Sequence, residues 1–212
     1  MITLQERFSA CIVINNNLIP NTWNLEIKLI ANNNTQRNYN LALDRIQFYI
    51  DEILNNSILL SPDDVQKFTH LSGIKGTIHP LPGDPYDHLI SVALYTKFNS
   101  ILEKVFLVDS IGVSSFQGDG ITHTYDCEFG DMETLMSYVD NENYKDYAKY
   151  WYDSKISFFD ITEEGLKLIN KNWQDLDLEF EINDGRVVKL SNFRPTIVSK
   201  TDREDDDPKD AS

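Results

Sequence analysis

Cysteine is almost missing from this chain: there are two in 212 residues, Cys11 and Cys127. Two distant thiols form no disulfide framework and have no zinc spacing, so a stapled secreted scaffold and a zinc finger are excluded and a reducing compartment is expected. Glycine (9) and proline (7) are also sparse, which excludes collagen-like and low-complexity chains. No run approaches the roughly 18 uncharged apolar residues of a membrane span. Residues 1–10 carry Glu6 and Arg7 with no apolar stretch of leader length, so an unexported cytoplasmic protein is expected. Positive charge is scarce as well, with 19 Lys and Arg against 34 Asp and Glu and a net charge of -15. Every phosphate contact needs a cation, so direct binding to nucleic acid is not expected.

What is present suffices for a folded body. Hydrophobic residues at 41% and aromatics at 11% supply enough apolar surface to offset ordering entropy, and the length fits one good core. The acidity is uneven. Residues 1–60 are near neutral at -1, residues 120–184 hold 16 acidic against 5 basic residues, residues 185–200 carry +4, and residues 201–212 carry -4.

Periodicity places the elements. Residues 7–14 and 23–30 alternate as strands around the turn-forming stretch Asn15 to Asn21. Apolar residues recur at helical spacing from 38 to 55, where Asn55-Asn56 stops the run. Ser61-Pro62 opens a short helix, and Asp84-Pro85 opens a helix over 85–103 that is apolar almost all round and belongs in the core. Residues 105–116 and 121–129 form a hairpin about Gln117-Gly118-Asp119-Gly120, with His123 and Tyr125 on one face and Thr122, Thr124 and Asp126 on a wet one. Asp160 to Glu164 reads as the start of a helix running to about Trp173, and residues 176–182 and 186–190 as a last hairpin. The expected fold is α+β, antiparallel hairpins packed on two main helices around a single core. A main domain spans 1–130, an acidic, aromatic subdomain or extension of the same core spans 131–200, and an acidic tail spans 201–212.

Candidate chemistry is thin. Asp126 and Glu128 share a strand face, as two carboxylates must to hold magnesium between them, and with His88 they make the case for a metal-dependent hydrolase or nuclease. A solvated strand face accounts for the same pair. His79, Asp84, Asp87 and His88 cluster about the proline-rich turn and suit a metal or acid-base site, although Asp84 and Asp87 also serve as helix-start residues. No cofactor motif is found, so no cofactor is expected. Tyr144, Tyr147, Tyr150, Trp151 and Tyr152, with Asp146 among them, have the aromatic character of interface anchors, against the alternative that they close the core.

The run Pro85-Tyr86-Asp87-His88-Leu89-Ile90, continuing through Lys97-Phe98-Asn99-Ser100-Ile101-Leu102-Glu103 to Val108-Asp109-Ser110 and Gly118-Asp119-Gly120, resembles a stretch in uncharacterised proteins of T-even-like tailed phages of marine bacteria. It covers about 40 residues and brings no functional residue with it. The resemblance implies a viral protein acting in the host cytoplasm. The expected function is a non-enzymatic accessory or regulatory factor that binds a protein partner through its acidic, aromatic C-terminal half, including a nucleic-acid-binding protein toward which it mimics DNA. The alternatives are the hydrolase built on Asp126 and Glu128, and a virion or assembly component.

Overall fold

Thirteen residues of alternating polarity, Ile2–Ile14, form strand β1 and turn back through Asn15-Asn16 into β2, Asn17–Ala31. Both turn residues sit at positive φ, 52° and 62°, which is the two-residue hairpin turn whose twist matches the flanking strands. The strands are longer and the turn shorter than expected, because Pro20 is accommodated inside β2. Pro20 lies opposite Cys11, whose amide donates away from β2 to the Ser57 carbonyl at 2.8 Å. The missing Pro20 N–H therefore also faces away from β1 and breaks no rung between the two strands.

We describe a computed structural model covering residues 1–68, 77–117, 121–126, 150–162 and 165–181. The described residues belong to one compact unit, Met1–Glu181. After β2 come helix α1 (Gln36–Phe48), a π-helical continuation over Tyr49–Leu54, β3 (Ile58–Leu60), α2 (Pro62–Phe68), β4 (Thr77–Pro80), α3 (Asp87–Leu102), β5 (Phe106–Ser115), β6 (His123–Asp126), β7 (Ile156–Thr162) and β8 (Gly165–Lys171). A single 3-10 turn, Trp173–Leu176, follows. The eight strands make one sheet in the order β6-β5-β2-β1-β3-β4-β7-β8. Strands β1, β3 and β4 run parallel to one another and every other junction is antiparallel. The α+β class is as expected. The hairpins are joined, however, through two parallel junctions into one mixed sheet.

One face of the sheet carries the core. Phe8 stacks on Trp23 with centroids 4.9 Å apart, and Leu25, Ile27, Leu29, Ile111 and Val113 continue that face, all essentially sealed from water. Helix α3 is buried on nearly every side, from Leu89 through Leu102, as its apolar sequence requires. Thr35 caps α1 by accepting from the Asn38 amide at 3.2 Å, and Asn56, at φ 61°, ends the π-helical turn while its amide donates to the Ser9 carbonyl. The opposite face of β1, β2, β5 and β6 is polar, with Arg7 paired to Asn24 at 3.0 Å and Ser9 to Thr22 at 2.8 Å.

Three local expectations are corrected. The helix expected from Asp160 to Trp173 is the β7–β8 hairpin, paired antiparallel from Ile156 opposite Lys171 to Thr162 opposite Gly165. Asp160-Ile161-Thr162-Glu163-Glu164 carries cap-like residues, but pairing of Thr77 and Ile78 with Asp160 and Phe159 draws the segment into the sheet. The last hairpin does not begin at Leu176: Asp177 takes φ 57° and residues 178–181 run without strand pairing, while residues 182–190 lie outside the described set. Asp84 does not cap α3. The cap position falls to Tyr86, which supplies no side-chain bond, and the Asp87 carboxylate is held instead by Trp23 Nε1 at 2.9 Å and the Ser115 amide at 3.0 Å. The expected boundary at 130/131 and the tail 201–212 lie outside the described residues; β7 and β8, from the expected second segment, belong to the common sheet.

Candidate functional site

Two clusters hold the chemistry-bearing side chains, one inside the core and one at the surface. The inner cluster joins α3, β4, the π-helical turn and the segment leading into β7. His79 Nε2 lies 3.1 Å from the Ile53 carbonyl, an acceptor only, so Nε2 carries the proton and Nδ1 accepts from the Tyr150 hydroxyl. The Tyr49 hydroxyl, 3.0 Å from that of Tyr150, completes the chain. Lys97 Nζ donates to the carbonyls of Tyr150 (3.0 Å), Asp153 (2.7 Å) and Lys155 (3.0 Å), and lies 5.6 and 5.2 Å from the Tyr49 and Tyr150 ring centres. Burial raises the Tyr49 pKa, lowers His79 to about 4 and lowers Lys97 to about 7, the Asp153 carboxylate opposing the last shift. His79, Lys97, Tyr49 and Tyr150 are at most 1% exposed, so no reactant reaches them and the cluster is structural.

The neutral state of His79 gives a first prediction. Its folded pKa lies below the unfolded value of 6.5, so its contribution is complete above that pH and is lost as the pH falls toward 4. Urea unfolding at pH 7 and pH 4.5 should show the wild type losing about 2–3 kcal/mol more than His79→Gln over that interval. Equal losses in the two proteins would refute the assignment.

The partner anchors expected from the sequence are placed as follows. Tyr150 and Trp151 are each 1% exposed, and Trp151 Nε1 donates to the Pro80 carbonyl at 2.9 Å. Tyr152 is half-buried, and burial raises its pKa. Tyr144, Asp146 and Tyr147 lie outside the described residues, as does Glu128. Asp126 is exposed at the polar face of the sheet, opposite Ser110 on β5. Among the described residues no three His, Cys, Asp or Glu side chains gather in a metal-holding group.

The outer cluster is a groove of 460 Å³ where the β1–β2 hairpin tip, the start of α3 and the beginning of β6 converge. Ile12, Ile14 and Ile19 form its apolar side, Tyr86, His88 and His123 its aromatic side, and Asp87 lies between them, fixed by its two hydrogen bonds. The Tyr86 and His88 rings are nearly parallel, 9° apart with centroids at 6.1 Å, and the His88 and His123 rings follow at 6.3 Å. Four exposed apolar side chains belong to the same end of the sheet: Leu18 (44%), Tyr86 (49%), Phe116 (61%) and Ile121 (55%). Of this set the sequence marked only His88 and Asp87. Strand alternation alone placed His123 on the face it shares with Tyr125.

No protein-family model matches the chain, and no curated protein matches it. Two solved structures of Plasmodium vivax 6-pyruvoyltetrahydropterin synthase, each a catalytic-residue mutant, align with 60% of this chain and 97% of their own, at 8% identity and a TM-score of 0.39. No described helix is long and apolar enough to cross a membrane.

Proposed function

We propose that the protein is a non-enzymatic accessory or regulatory factor, of tailed-phage origin, that holds a basic protein partner in the groove at the hairpin tip and the start of α3. The observation that carries this reading is the groove itself, in which exposed Tyr86 and His88 stand with Ile12, Ile14, Ile19 and His123 on strands and a helix end. Large aromatic and aliphatic side chains on a rigid frame are what interfaces use as anchors, and they cost little conformational entropy to immobilise. A net charge of -15 favours a basic partner and speeds its approach at low salt. Tyr150 and Trp151 are committed to the core, so the groove takes the role that the aromatic segment had in the sequence. The phage origin rests on the resemblance of the Pro85 to Gly120 stretch.

Capture from a bacterial lysate at low salt tests the proposal. The wild-type chain should retain a basic protein that elutes as salt is raised, and the Tyr86→Ala variant should lose at least about fivefold of it, consistent with one interface anchor worth roughly 1 kcal/mol or more. The Tyr86 side chain is exposed, so the variant should melt with the wild type. Retention of nothing by the wild type, or equal retention by both proteins, would overturn the proposal.

A further inference from the structure

The two histidines of the groove stand on separate rigid elements, His88 in the first turn of α3 and His123 at the first residue of β6, with ring centroids 6.3 Å apart and planes inclined at 53°. An ion midway between them stands about 3 Å from each centroid, and an ion at the usual zinc–nitrogen bond of about 2.0–2.1 Å from a ring nitrogen is about as far from the centre of that ring. Among the described residues neither ring has a hydrogen bond from its nitrogens, and His88 is exposed, so its side-chain torsions are free to turn a ring nitrogen toward the space shared with His123. The Asp87 carboxylate lies at the same helix start; its oxygens are taken by Trp23 and Ser115, so it contributes negative field without a bond to the ion.

We propose that His88 and His123 form a two-histidine site for a late first-row divalent cation, zinc or nickel, with solvent or a group brought by a binding partner filling the remaining positions. Imidazole suits these metals, and the ligand set lacks the carboxylate-rich oxygen cage that magnesium or calcium needs. Two protein ligands make an open, exchangeable site and not a closed structural one. The site goes beyond the proposed partner-binding role and does not depend on it.

Titration of the full chain with zinc chloride, without any partner, tests the assignment. The wild type should bind one equivalent with a micromolar dissociation constant, and His88→Ala and His123→Ala should each weaken binding at least about tenfold, while His79→Gln, which alters the histidine buried in the core, should bind as the wild type does. Both groove variants remove surface rings and should keep the wild-type melting temperature. No binding up to millimolar zinc, undiminished binding in either groove variant, or loss of binding in folded His79→Gln would overturn the proposal. Tyr86→Ala keeps both histidines and should bind zinc normally, so the fate of the partner-binding role and that of the metal site are read separately.

Discussion

Lys97→Met should lose about 3 kcal/mol of stability at pH 7, and the deficit should grow as the pH rises. The methionine fills nearly the same volume, so packing is conserved, but the carbonyls of Tyr150, Asp153 and Lys155 lose their common donor inside the protein. A buried carbonyl without a partner costs roughly 1–3 kcal/mol, and removal of the costly buried ammonium offsets part of the sum. The pH dependence follows from linkage. Lys97 has a folded pKa of about 7 against 10.5 in the unfolded chain, so between those values the unfolded state binds more protons. Its contribution is complete above the unfolded value and is lost as the pH falls toward 7, with a slope of up to about 1.4 kcal/mol per pH unit. The methionine variant has no such slope. Urea unfolding at pH 7 and pH 9 measures both effects; a variant as stable as the wild type, or a gap that narrows with rising pH, would refute the account.

The same lysine shows what a periodicity reading can reach and what it misses. Apolar residues at Leu89, Ile90, Val92, Ala93, Leu94, Phe98, Ile101 and Leu102 were enough to locate α3 and to put it in the core, because burial on all sides requires a continuous apolar surface. Nothing local tells Lys97 from a solvated lysine. Its partners lie more than 50 positions away in a segment whose own pattern names no partner, and the stem is apolar enough to enter a core when the head finds acceptors there. Turn chemistry was legible for a similar reason to periodicity: the constraint at Asn15-Asn16 sits in the turn residues themselves.

The β7–β8 hairpin was illegible because its decisive interactions are non-local. Ile156, Ser157 and Phe159 are buried and Asp160 is exposed, an imperfect alternation that reads as poorly for a strand as for a helix. Pairing of β7 with β4, far away in the sequence, decides the matter, as is common for strands whose propensity depends on what they pack against. The groove obeys the same logic. His88 was visible only as a member of the polar cluster about the proline-rich turn. The neighbour it meets in space is His123, delivered by the β5–β6 hairpin, and the pairing exists only once β5 has docked on β2 and α3.

Arg45→Met should destabilise the protein by about 3–5 kcal/mol and release the segment after the 3-10 turn. Arg45 sits on α1 among residues that face the core, is 1% exposed, and donates to the Leu178 carbonyl at 2.7 Å, the Ile101 carbonyl at 2.8 Å and Glu103 Oε1 at 2.8 Å. Its guanidinium carbon lies 3.6 Å from the centre of the Phe180 ring and 4.7 Å from that of Trp173. Burial lowers its pKa and the neighbouring Glu103 opposes the shift; a guanidinium stays charged through this range. The planar fork thus serves three acceptors and two aromatic faces at once, which neither methionine nor lysine can do, so Arg45→Lys should recover only part of the loss. Residues 178–181 have no strand pairing to replace it. Beyond Arg45 they depend on Asn38, whose side chain accepts from the Glu181 amide at 2.9 Å and donates to its carbonyl at 3.0 Å, and on the Arg37–Glu181 ion pair at 2.8 Å. The exposed ion pair contributes at most about 1 kcal/mol. Hydrogen exchange at the amides of 178–181 should therefore accelerate strongly in Arg45→Met under conditions where the amides of β1 and β2 remain protected, and chymotrypsin should cut at Phe180 first. Asn38→Ala should loosen Glu181 while leaving Leu178 protected. If the segment exchanges together with the sheet in Arg45→Met, the arginine supports the whole fold and does not act as the clamp of this segment.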